Sequence, residues 1–173
     1  MRRTWAPVGA TPVLTGFGRH RDKTSVIAAL SVSPVRRQLG LSFRTDAHDY
    51  LGNTDVADFV RQVLRQLRGP VMVVWDRGSN HRGEPIRELL RRYGRLSIAE
   101  LPSYSPQLNP VECLWSYLKH GKLANFVPDN VVHLDDVVVE HLCETLVNRR
   151  LLRRLWEGSD LPFPSPFSQP EGQ

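Results

Sequence analysis

Residues Pro70–Pro102 read PVMVVWDRGSNHRGEPIRELLRRYGRLSIAELP, and this stretch decides the fold. Val71 to Trp75 is apolar without alternation, as expected of a short strand covered on both faces. The run stops at Asp76. EPIRELLRRYG then reads as a short helix, with Pro85 early and Gly94 just past its end, and RLSIAELP reads as a second strand. Strand, helix and strand at this spacing form a parallel βαβ unit, so the fold class is α/β.

The flanking sequence extends that unit. Upstream, DKTSVIAALSVSP (22–34) carries an apolar, β-branched run, and RRQLGLSFRTDAH (36–48) alternates at Leu39, Leu41 and Phe43; together they predict an antiparallel hairpin. NTDVADFVRQVLRQLRG (53–69) predicts a helix on Val56, Val60, Val63, Leu64 and Leu67, capped by Asn53 or Thr54 and ended by Gly69. Arg61, Arg65 and Arg68 line another face of it, a pattern that first suggests a solvated stripe. Downstream, a helix starts at Pro110, and LDDVVVEHLCETLVNRRLLRRLWEG gives a last helical region with Arg149, Arg150, Arg153 and Arg154 near its end. Residues 1–158 are expected to form one domain, and the proline-rich 159–173 a disordered tail.

The chain has 173 residues and a net charge of +5, which suits an anionic partner. Twenty arginines stand against three lysines, a bias that serves phosphate recognition but also follows from GC-rich coding. Two distant cysteines fit neither a zinc pattern nor a disulfide framework, and no apolar run approaches the ~20 residues of a membrane helix. A reduced, cytoplasmic protein is the expectation.

Two acids carry the chemistry. Asp76 follows the most apolar strand, at the sheet edge where α/β proteins bind ligands, although an aspartate also begins turns such as DRGSNHRG. Glu112 sits in LPSYSPQLNPVECLWSYLKH (101–120), where Pro102, Pro106 and Pro110 stiffen the approach to a helix. Asn109, Pro110, Val111 and Glu112 spell the first positions of that helix, so Glu112 also fits a capping box. A rigid carboxylate is equally what Mg²⁺ needs, and two ions ~3.5–4 Å apart can activate a water and stabilise a leaving oxygen.

LPSYSPQLNPVECLWSYLK closely resembles the signature around the last acid of DDE transposases of the mariner superfamily, bacterial insertion-sequence branch. VVWDRGSNHRG resembles the segment with that family's second acid, with His81 at the usual histidine, and RRTWAPVGATPVL resembles its bridge after the first strand. The resemblance implies a ribonuclease H-like mixed sheet flanked by helices, and a two-metal Mg²⁺ or Mn²⁺ site at Asp76 and Glu112. It further implies that Asn109 and Pro110 position the last helix and that the ions drive hydrolysis and strand transfer at transposon ends. Arg77 stands where relatives commonly have asparagine. Arg77, His81, Arg82, Lys119 and Lys122 are candidate DNA contacts.

The family's first acid lies on a strand upstream of Arg-Thr-Trp, a segment that here begins at Arg2. The first strand and first acid are therefore expected to be missing, and neither Asp22, Asp46 nor Asp49 replaces that acid. The chain alone is expected to be inactive. The expected partners are DNA, an upstream helix-turn-helix segment supplied as a separate or frameshift-fused chain, and a second copy in a homodimer. The alternative is a non-catalytic DNA-binding or regulatory remnant that grips phosphates through its arginines. An unrelated α/β hydrolase lacks support, with no Gly-x-Ser-x-Gly elbow and no His/Cys zinc cluster.

Overall fold

A computed structural model describes Val8 and residues 23–164. The stretch resembling the family bridge, Asp22 and most of the proline-rich tail lie outside the described residues.

The first element is the expected hairpin. β1 (Ser25–Val32) and β2 (Leu39–Asp46) pair antiparallel from Ser25 opposite Asp46 to Val32 opposite Leu39. α1 (Asn53–Gln66) follows, then β3 (Val71–Trp75), α2 (Glu84–Arg92) and β4 (Leu96–Glu100), with β3 and β4 parallel from Val71 beside Leu96. This is the βαβ unit expected from the sequence. α3 (Pro110–Tyr117) runs into a π-helical turn (Leu118–Lys122), and α4 (Val131–Val147) and α5 (Arg149–Glu157) complete the fold.

Burial divides these elements between two cores. Val56, Ala57, Val60 and Leu64 of α1 pack with Trp75, Ile86, Leu89 and Leu96 in the first. Leu114, Leu118, Val138, Leu142, Leu152 and Leu155 of the last three helices pack with Leu41 in the second. The alternating strand β1 touches both: Ile27 leans on the first core, while Val26, Ala28 and Leu30 lean on the second.

β3 departs from expectation. Val71 and Val73 face the first core, yet Met72 is 67% and Val74 42% exposed. Helices α1 and α2 cover one face of β3, whereas α3, α4 and α5 pack on the hairpin and leave the other face open. Among the described residues, this unbroken apolar run thus marks a strand with one face covered. Among the described residues, β1 pairs only with β2 and β3 only with β4, giving two separate two-stranded sheets.

Helix ends differ from the sequence reading in two places. Gly52, not Asn53 or Thr54, is the N-cap of α1; its N–H donates to Asp55 Oδ2 at 3.0 Å, while Asn53 Nδ2 reaches the Arg82 carbonyl. The last helical region is two helices, divided where Asn148 Oδ1 accepts from Leu151 N and starts α5. α1 stops at Gln66 rather than at Gly69, and Arg95 gathers carbonyls at and just past its end, donating to Leu67 and Gly69 at 3.0 and 2.6 Å and also to Leu64. Those oxygens have no partner within the helix, so the guanidinium supplies what the backbone cannot. Arg95→Ala should cost about 2–3 kcal/mol, since bonds to charged groups are individually worth ~1.5–3 kcal/mol. The unfolding midpoint should fall by roughly 5–10 °C in a thermal melt followed by circular dichroism.

The segment after α5 begins anchored. Asp160 N donates to the Gln107 carbonyl at 2.7 Å, and Phe163 lies edge-on to Trp156 with the Arg37 guanidinium 5.0 Å from its ring centre.

Candidate functional site

β3 ends in the first core with Trp75, and the chain turns immediately at Asp76. Alternation along the strand puts Asp76 on the same side as the uncovered Met72 and Val74. Its carboxylate is 59% exposed and fixed through one oxygen. Gly78 N donates to Oδ1 at 2.9 Å, and His81 Nδ1 lies 2.9 Å from Oδ1 and 3.0 Å from the Asp76 carbonyl. The imidazole is itself held by stacking on Trp75, with ring centres 4.6 Å apart and planes 8° from parallel. His81 therefore aims Asp76; its ring makes a bond that orients the acid, and Oδ2 has no partner among the described residues.

Gly78 is the close approach in this turn. A Cβ there would meet Asp76 Oδ1 at 2.9 Å and Asn80 Oδ1 at 2.7 Å. Both atoms end side chains that can rotate about χ, so Gly78→Ala should leave the melt almost unchanged and turn the Asp76 carboxylate out of its place instead. Divalent-metal affinity should fall about tenfold or more, in line with the loss of an orienting contact, measured by Mn²⁺ titration.

The second acid comes from the other core. Leu101 N donates to the Trp75 carbonyl at 2.8 Å, continuing the β3–β4 pairing into the proline-punctuated approach. The approach closes with a 3₁₀ turn at Pro106–Leu108 and delivers α3 at Pro110. Asn109 is the N-cap, its Oδ1 accepting from Val111 N at 3.1 Å. The Asn109 N–H, which a capping box would offer to Glu112, donates instead to the Pro106 carbonyl at 3.0 Å. Glu112 is exposed, and its carboxylate has no hydrogen bond or ion pair among the described residues. The helix is thus capped without using Glu112.

Asp76, Arg77, Asn109 and Glu112 line one cleft of about 380 Å³, together with Leu101, Pro102, Ser103, Tyr104, Ser105 and Pro106. Arg77 is held in it by Glu100 Oε2 at 3.1 Å and Ser103 Oγ at 3.4 Å. Arg82, Lys119 and Lys122 are exposed outside the lining. Lys122 is committed to Glu144 at 3.0 Å, and that hydrogen bond raises its pKa. Trp115 packs against the second core. Asp46 works as a turn acceptor: its Oδ1 takes the N–H groups of His48 and Asp49, each at 2.9 Å, which lowers its pKa. Sequence reading missed Gly78, Ser103 and Tyr104; the only signal was their place beside the two acids.

Among the described residues no three His, Cys, Asp or Glu side chains converge as a metal cluster. Two carboxylates with free oxygens on one cleft still suit a hard cation, because Mg²⁺ usually takes one or two carboxylates and keeps several waters.

Compared with solved structures, the fold is that of a mariner-type transposase catalytic domain, ribonuclease H-like with helices on its small sheets. The "Mos1 transposase paired-end complex with left transposon end" aligns at a TM-score of 0.61 and 15% identity, over 91% of this chain and 46% of that one. The "catalytic domain of Mos1 mariner transposase" aligns at 0.55 and 13%, over 78% and 74%. The chain thus spans less than half of the Mos1 chain in the paired-end complex. The chain belongs to the DDE superfamily endonuclease family, whose profile matches residues 1–131 and so includes both acids. Enzymes of that superfamily use divalent metal ions. No curated protein matches. Among the described residues no helix is long and apolar enough to cross a membrane.

Proposed function

We propose that this chain is the catalytic portion of a DNA transposase, of the bacterial insertion-sequence branch, in which Asp76 and Glu112 hold Mg²⁺ or Mn²⁺. The observation that carries this reading is that both carboxylates line one cleft while Glu112 stays free of the cap it could have formed. Bound there, such ions would lower the pKa of an attacking water and stabilise the leaving oxygen of a phosphodiester. The chain's own residues prepare the place. Gly78 and His81 hold one Asp76 oxygen and leave the other for ligation, and Asn109 and Pro110 set the direction of α3 beneath Glu112. Arg77, steadied by Glu100 and Ser103, presents positive charge to a phosphate entering the cleft.

The same reading gives DNA as the partner, with Arg82, Lys119 and Lys122 as flanking contacts, in a homodimer associated with the nucleoid. It assigns the remaining acid to a further strand, carried on an upstream segment supplied as a separate or fused chain. Among the described residues β1 and β3 each have one strand partner, and these free edges support a strand seated between the sheets. Residues 1–158 would then be one catalytic domain, with the tail after it.

Mn²⁺-dependent nicking of supercoiled plasmid by the purified chain tests this assignment. The expected result is negligible nicking, because two acids hold the second ion poorly. Strong nicking that disappears in Asp76→Asn would show instead that the first acid lies within this chain.

A further inference from the structure

Tyr104 is fully exposed, at 101% of its reference area, and its backbone sits at φ +57°. Each fact is unfavourable for a residue without a purpose: a left-handed tyrosine costs ~1–2 kcal/mol, and its ring buries nothing. The surrounding loop nevertheless holds it firmly. Pro102 and Pro106 flank it, Ser105 Oγ donates to the Ser103 carbonyl at 3.4 Å, and Leu108 N donates to the Ser105 carbonyl at 3.1 Å. Arg77 ties Ser103 to the turn that follows β3, and Asp160 N ties Gln107 to the segment after α5. An aromatic ring is therefore presented to solvent on a braced loop, at the wall of the cleft that holds Asp76 and Glu112. Strain kept in this way collects at functional sites.

We infer that Tyr104 is a stacking platform for an unpaired nucleobase next to the phosphate in the cleft. The inference rests on the proposed DNA-cutting site and adds to it the state of the substrate: a strand whose bases are locally unpaired. A flat ring offers no donor pattern to read sequence, but every base has a face to stack on it. The net charge of +5 and the Arg77 guanidinium in the same wall favour an anionic strand over an apolar peptide as the occupant.

The test is fluorescence anisotropy of the full chain with a labelled short oligothymidine and with the matching duplex, at low salt in EDTA. Tyr104→Ala should weaken oligothymidine binding roughly fivefold to 140-fold, the ~1–3 kcal/mol of one stacked base at ~1.4 kcal/mol per tenfold. Tyr104→Phe should keep wild-type affinity, and duplex affinity should not change in either variant. Since the ring touches little, thermal midpoints should match wild type. The inference is overturned if Tyr104→Ala binds oligothymidine like wild type, if it loses duplex and single strand equally, or if the wild-type chain has no affinity for oligothymidine. Working in EDTA separates this from the metal site. A Tyr104 effect without Mn²⁺ binding would sink the carboxylate reading alone, and Mn²⁺ binding without a Tyr104 effect would sink the stacking alone.

Discussion

Mn²⁺ should raise the thermal unfolding midpoint of this chain, and Glu112→Gln or Asp76→Asn should remove the rise. A ligand that binds only the folded state at a hundred times its Kd adds about 2.7 kcal/mol of stability. For a domain of this size that is roughly 5–10 °C. The two substitutions keep shape and remove charge, so neither should lower the metal-free midpoint by more than a degree or two. Glu112 caps nothing, and Gly78 and His81 can still meet the amide oxygen of Asn at position 76. Equal Mn²⁺ shifts in wild type and both variants would mean that the cleft is not where the cation sits. In an assembly competent for strand cleavage, either substitution should cut the rate by about a thousandfold, as expected when stabilisation of developing charge is lost.

Leu114→Ala should be the most damaging single change to the fold. Leu114 has 0% exposure, lies two residues beyond Glu112, and stands in the core that joins α3 to the hairpin, α4 and α5. Leucine truncation in a well-packed interior costs about 3–5 kcal/mol, part transfer and part cavity. The midpoint should fall by roughly 10 °C or more. α3 would also lose the contact that seats it, so Mn²⁺ affinity should fall along with stability. Leu90→Ala, on an exposed position of α2, is the control and should change neither. If Leu114→Ala melts within two or three degrees of wild type, the second core is not packed as described.

Much of this was readable beforehand, for physical reasons. The hairpin shows in the alternation at Leu39, Leu41 and Phe43, and the βαβ unit in an apolar run, a proline-started helix and a second run. The covering of β3 did not show, because Val, Met, Val, Val and Trp spell the same run whether one face is packed or two. The break at Asn148 was hidden for a similar reason: asparagine inside a helical pattern reads alike as an interior residue or a cap. Nothing in the sequence sets Arg95 apart from the other arginines, because its target is the end of a helix distant in sequence. At the site, the letters Asn-Pro-Val-Glu fit a capping box as well as a ligand. Only the hydrogen bond from Asn109 N to the Pro106 carbonyl separates the two.

The paired cores have one more consequence. Asp76 is rooted in the interior built on α1 and α2, and Glu112 in the interior built on α3, α4 and α5. The gap between the carboxylates is therefore set by how two lobes sit against each other across the hairpin, not by either lobe's own rigidity. A cation shared by the pair would act as a rivet between them, so its affinity should report how the two cores are seated.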